Sequence, residues 1–102
     1  MPNVRLLSHS LNFNLTLDFG PSGRFYLDGY LRSDGNLLIL AQFLDQNLHI
    51  VPFQIGEGQV AGQVINIHEY IDPAGDDNKY RSFLAELPSE CELKDLSFLI
   101  SY

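Results

Sequence analysis

The segment Leu11-Asn12-Phe13-Asn14-Leu15-Thr16-Leu17-Asp18-Phe19 alternates apolar and polar residues without a break. Side chains on a β-strand change face at every residue, whereas a helix repeats every 3.6 residues. The alternation therefore specifies a strand with one buried and one wet face. Such a strand is stable only with partner strands and a second layer over its apolar side.

Turn chemistry divides the rest of the chain into short segments. Gly20-Pro21-Ser22-Gly23 and Ser33-Asp34-Gly35-Asn36 bracket Arg24 to Arg32. Asp-Gly favours a tight hairpin, because glycine adopts positive φ at no steric cost. Within Arg24 to Arg32 the period of two puts Phe25, Leu27 and Gly29 on one face and Tyr26, Asp28 and Tyr30 on the other. Glycine inside a strand marks a bulge or a close approach of another group. Leu48 to Ile55 alternates with Pro52 interrupting, which points to an edge strand or a bulge. Gly56-Glu57-Gly58 reads as the next turn, and Gln59 to Tyr70 is rich in β-branched residues. Leu96, Phe98 and Ile100 share one face of a final strand over 93–102.

Two segments carry both periods. Leu37 to Leu44 is apolar on both faces as a strand, which implies a central position or an oligomer interface. As a helix it presents Leu37, Leu40, Ala41 and Leu44 at helical spacing, and the strand is the preferred reading. In Lys79 to Leu87, Tyr80, Phe83, Leu84 and Leu87 fall at helical spacing, and Pro88 ends the run. Here the short helix is preferred, and Ser89 with Glu92 offers a second capping pattern. The expectation is a single domain over 1–102, all-β or β-rich α+β. It has six to eight strands in an antiparallel sandwich or small barrel, with one or two short helices near the C-terminus.

Charge and cysteine content narrow the function classes. Of 102 residues, 45% are hydrophobic, enough for one core. The net charge is −7, and residues 52–102 carry nine acids against three bases. That balance argues against nucleic acid or anionic lipid as partner, because phosphates are repelled. It admits a protein partner, self-association or mimicry of a phosphate backbone. No apolar run has the length of a membrane span, no leader is visible, and Cys91 is the single cysteine. A cytoplasmic setting is the default for such a chain.

The chemical motifs are weak. Gly56-Glu57-Gly58-Gln59-Val60-Ala61 matches the dinucleotide phosphate loop, but it is followed by β-branched residues where that loop opens a helix. His9, His49 and His68 are the only histidines, and no pair has the spacing that puts two imidazoles on one face. Asp72-Pro73-Ala74-Gly75-Asp76-Asp77-Asn78 is rich in oxygen ligands without the spacing of a helix-loop-helix calcium loop. Glu86, Glu90, Glu92 and Asp95 read as a solvated acidic face, and the glutamates flanking Cys91 disfavour its thiolate. Ser8-His9-Ser10 sets a base beside hydroxyls on opposite faces of an extended chain. Asn14-Leu15-Thr16 is a glycosylation sequon lying inside the best strand. No catalytic residue, metal or cofactor is assigned. The leading expectation is a non-enzymatic interaction or assembly module using Tyr26, Asp28 and Tyr30. The alternative is a small-ligand-binding barrel or minor enzyme with His49, His68 and Glu69 in its pocket.

Overall fold

Two antiparallel sheets form a sandwich in a computed structural model that describes residues 3–5, 12–71 and 80–102. The strands are β1 (Asn3–Arg5), β2 (Asn12–Asp18), β3 (Arg24–Leu31), β4 (Leu37–Leu44), β5 (Gln54–Val60), β6 (Gln63–Ile65), β7 (Ile67–Glu69), β8 (Arg81–Ala85) and β9 (Leu96–Ser101). One sheet has the order β1-β9-β5-β6 and the other β2-β3-β4-β8-β7.

The core lies between the sheets. Phe25, Leu27, Leu37, Ile39 and Phe43 come from one sheet, and Leu96, Phe98 and Ile100 from the other. All eight have no exposed surface. Burying a side chain of this kind contributes about 1.5–3 kcal/mol. Phe25 lies directly opposite Phe43 on the neighbouring strand, their rings stacked at 4.0 Å, and Phe53 meets Phe25 edge-on at 5.0 Å. The run Leu37 to Leu44 is a strand, and its position between β3 and β8 accounts for its two apolar faces.

The β3–β4 hairpin closes as its Asp-Gly signal predicts. Arg32 donates its N–H to Asn36 O at 2.8 Å, Asp34 Oδ1 accepts from Asn36 N–H, and Gly35 has φ +86°. Gly23 ends the short 3-10 turn Gly20–Ser22 at φ +124°. A Cβ there would lie 2.7 Å from Phe43 Cε1 and closer still to Leu44 O, so the position admits only glycine.

Several local expectations are corrected. Lys79 to Leu87 is not a helix: Arg81–Ala85 is strand β8, paired with β4 and β7. Among the described residues the helical content is limited to two 3-10 turns, Gly20–Ser22 and Leu93–Asp95. Gly56-Glu57-Gly58 is not a turn but lies inside β5, whose register with β9 shifts between Gly56 and Gln59. The hairpin turn falls at Ala61 (φ +49°) and Gly62 (φ +82°), the paired positive values of a type I′ turn. Gln59 to Tyr70 consequently divides among β5, β6 and β7, which brings the strand count among the described residues to nine. Pro52 precedes β5, in the connection that follows β4.

Asn66 carries the chain from one sheet to the other. Glu86 N–H donates to Asn66 O and Asn66 Nδ2 donates to Glu86 Oε2, each at 2.9 Å, so the crossing is fixed from both sides. Where the sheets meet, Gly58 is buried under Ile67, whose Cγ1 would lie 2.9 Å from an added Cβ.

Candidate functional site

Alternation along β3 sends Phe25 and Leu27 into the core and leaves Tyr26, Asp28 and Tyr30 on the outer face of the five-stranded sheet. The register builds that face row by row. Asn14, Asp28, Leu40 and Ser82 form one row, and Thr16, Tyr26 and Gln42 the next. Asn12, Tyr30, Leu38, Leu84 and His68 form a third, spanning all five strands. The three residues singled out from the sequence are therefore neighbours near the middle of one sheet face.

Two further tyrosines join them. Tyr80 precedes β8 on the side of Ser82, and burial together with the nearby Asp28 carboxylate and the Tyr26 and Tyr30 phenols holds its hydroxyl above the ordinary range. Tyr70 donates its N–H to Ser82 O at 2.7 Å, and the Arg32 guanidinium lies 5.4 Å from its ring centroid. Sequence reasoning missed both. As a helix, 79–87 groups Tyr80 with Phe83 and Leu84; as a strand, it separates Tyr80, Ser82 and Leu84 from the inward Phe83 and Ala85.

The chemistry of the face is that of an amphipathic platform. Tyr30 is 45% exposed, Tyr26 and Asp28 are half-buried, and Leu38 and Leu40 supply half-buried apolar surface between them. Asn14 Nδ2 donates to Asp28 Oδ1 and orients the carboxylate. Tyrosines combine a large apolar ring with a hydrogen-bonding tip, the composition enriched at protein interfaces. At one corner the face runs into a groove of about 510 Å³ lined by Arg24, Tyr26, Leu44, Asp45 and Leu48 among others.

His49, His68 and Glu69 are not gathered in one place. His49 is exposed in the β4–β5 connection, its Nδ1 3.4 Å from Asp45 Oδ2. His68 and Glu69 are consecutive on the edge strand β7 and point to opposite faces. Glu69 is held by Arg81 (Nη2 to Oε2, 2.6 Å), whose guanidinium also donates to Phe53 O and lies 4.7 Å and 5.1 Å from the Phe53 and Phe83 ring centroids. Among the described residues no three His, Cys, Asp or Glu side chains converge as metal ligands. Ser8-His9-Ser10 and the acidic loop Asp72 to Asn78 lie outside the described residues. Glu92 is engaged by Lys94 at 3.0 Å and Glu86 by Asn66. Cys91 is half-buried against the core. Among the described residues no helix is long and apolar enough to cross a membrane.

No family model, curated protein or solved structure matches the chain.

Proposed function

We propose that the chain is a non-enzymatic interaction or assembly module, and that it binds a protein through the outer face of its five-stranded sheet. The observation that carries this reading is the convergence of Tyr26, Asp28, Tyr30 and Tyr80 beside Leu38 and Leu40 on one exposed sheet face. The partner is a protein surface that offers apolar groups to the rings and donors to Asp28. The net charge of −7 favours a basic one. A cytoplasmic setting, in which Cys91 stays reduced, completes the reading.

The test is cross-linking of the intact chain in extract of its own host, followed by mass spectrometry, with a Tyr26→Ala/Tyr30→Ala variant alongside. The expected result is a cross-linked protein that the variant loses while its melting temperature stays within a few degrees. Equal capture by the variant overturns the reading.

A second reading, a small-ligand-binding protein, is favoured by one feature, the groove of about 510 Å³ beside Arg24 and Tyr26. It is bordered by β3 and by the turn that carries His49, whereas His68 and Glu69 lie at the far edge of the sheet. Native mass spectrometry of the chain from its host decides for it by an added mass that the Arg24→Ala variant loses.

A further inference from the structure

Among the described residues the sandwich has four sheet edges, and three of them, β1, β6 and β7, are three residues long. The fourth is β2, seven residues, which among the described residues has β3 on one side and no strand on the other. Short edges, prolines, bulges and inward charges are the usual protection against edge pairing. Strand β2 has none of these: Asn-Phe-Asn-Leu-Thr-Leu-Asp contains no proline or glycine, its register with β3 is unbroken, and its single charge is at the end.

The orientation of its main chain follows from one bond. Phe19 donates its N–H to Gly23 O across the β2–β3 pair at 2.9 Å. Hydrogen-bonded positions alternate in an antiparallel ladder, so Phe13, Leu15 and Leu17 direct their main-chain groups to β3. Asn14, Thr16 and Asp18 direct theirs away from it. Phe13, Leu15 and Leu17 are meanwhile half-buried on the core side, at the rim of the sheet.

We infer that two copies of this chain pair antiparallel through β2, about a twofold axis at Leu15, to make one sheet of ten strands. The strand is self-complementary in that register. Asn14 and Thr16 face Thr16 and Asn14 of the second copy, which supplies about four main-chain hydrogen bonds. Leu15 meets Leu15 and Phe13 meets Leu17, so the half-covered apolar row is continued by an identical one. Asp18 comes opposite Asn12 and not opposite the other Asp18, which removes like-charge repulsion. The twofold axis is perpendicular to the sheet, so both tyrosine faces point the same way. The inference extends the reading of the chain as an assembly module by naming a second copy as partner, and it uses a different surface from the tyrosine face.

Sedimentation equilibrium of the intact chain, from micromolar to near-millimolar concentration, tests it. The expected mass rises from 11.5 kDa toward twice that value. Thr16→Pro removes an N–H that points away from β3, so it keeps the fold by circular dichroism and weakens association at least about tenfold. In a Cys91→Ser background, Leu15→Cys forms a disulfide-linked dimer faster than Val64→Cys, which is placed on β6 and 73% exposed. A chain of single mass throughout, a Thr16→Pro variant that associates as well as the parent, or equal cross-linking at the two cysteines overturns the inference. Because Thr16→Pro leaves Tyr26 and Tyr30 in place, dimer loss with partner capture retained separates the two surfaces. A monomer that still captures its partner overturns the pairing alone.

Discussion

Phe13 lies directly opposite Gly29 in the β2–β3 register, and its ring occupies the space where a side chain on Gly29 would stand. A Cβ at Gly29 would lie 2.6 Å from Phe13 Cδ1 and nearer still to Cε1 and Cζ. The glycine inside the strand is therefore a ring seat, with β3 unbroken through it. Gly29→Ala should cost about 1–3 kcal/mol in urea unfolding by overpacking. Phe13→Ala should cost about 2–4 kcal/mol for a ring that is half-buried. The double variant should fall short of the sum by at least about 1 kcal/mol, because each change removes the reason for the other's cost. Additive losses would show that the ring and the backbone do not share that space.

Arg81 on β8 ties β7 to the segment that precedes β5. Its guanidinium pairs with Glu69, donates to Phe53 O and covers the Phe53 and Phe83 rings. A lysine keeps the charge but loses the planar fork and the stacking surface. Arg81→Lys should cost about 1–2 kcal/mol, Arg81→Ala about 2–3, and Glu69→Gln under about 1, since Glu69 is exposed and the pair alone is worth little. A thermal denaturation series in which Glu69→Gln is the most damaging would assign the stability to the ion pair and not to the stacked cation.

How much of this was legible in the sequence depends on how local each signal is. The alternation of Asn12–Asp18, the split of β3 into Phe25/Leu27 and Tyr26/Asp28/Tyr30, and the inward row of Leu96, Phe98 and Ile100 all follow from period two. The strand Arg81–Ala85 was not legible, because Phe83, Leu84 and Ala85 are all buried: two face the core and Leu84 lies on the outer face. With both faces covered, a strand loses its alternation and acquires helix-like spacing by coincidence. Gly56 and Gly58 carry turn composition, yet here they serve a bulge and the close approach of Ile67. Tyr70 reaches the tyrosine face through its bond to Ser82 O, and Tyr80 through the pairing of Ser82 with Leu40, contacts that no local pattern encodes.

The tyrosine face has a spectroscopic signature. Burial first, and then the Asp28 charge with the Tyr26 and Tyr30 phenols, holds the Tyr80 hydroxyl above its ordinary value of 10.0. A folded-state value raised in this way contributes stability that is fully present below pH about 10 and is lost as pH rises through the folded value. Ultraviolet difference titration should show a late phenol step that Tyr80→Phe removes. In Asp28→Asn that late step should move down, because a negative neighbour has been removed. A late phenol step that persists unchanged in Asp28→Asn would show that the Asp28 charge does not act on it.

The turn after β4 combines a preorganised carboxylate with a strained residue. Asp45 Oδ1 accepts N–H bonds from Asn47 and His49, both at 2.8 Å, and its other oxygen faces His49 Nδ1 at 3.4 Å. The His49 amide is the largest cause holding the Asp45 carboxyl below its ordinary value of 3.8. That contribution is present above the ordinary value and is lost as pH falls through the lowered one, so carboxyl carbon chemical shifts should place the Asp45 midpoint below 3.8. Leu48 in the same turn is 69% exposed at φ +64°, a conformation that a leucine adopts only under strain. Leu48→Asn and Leu48→Gly should each raise stability by about 0.5–1 kcal/mol, with the folded structure unchanged. In Asp45→Ala the carboxylate bonds to Asn47 and His49 are gone while the main-chain bonds Asp45 N–H to His49 O and Leu48 N–H to Asp45 O remain, and the gain from Leu48→Gly should shrink because residue 48 is held less firmly at positive φ. An undiminished gain in that background would show that the carboxylate does not impose the strain.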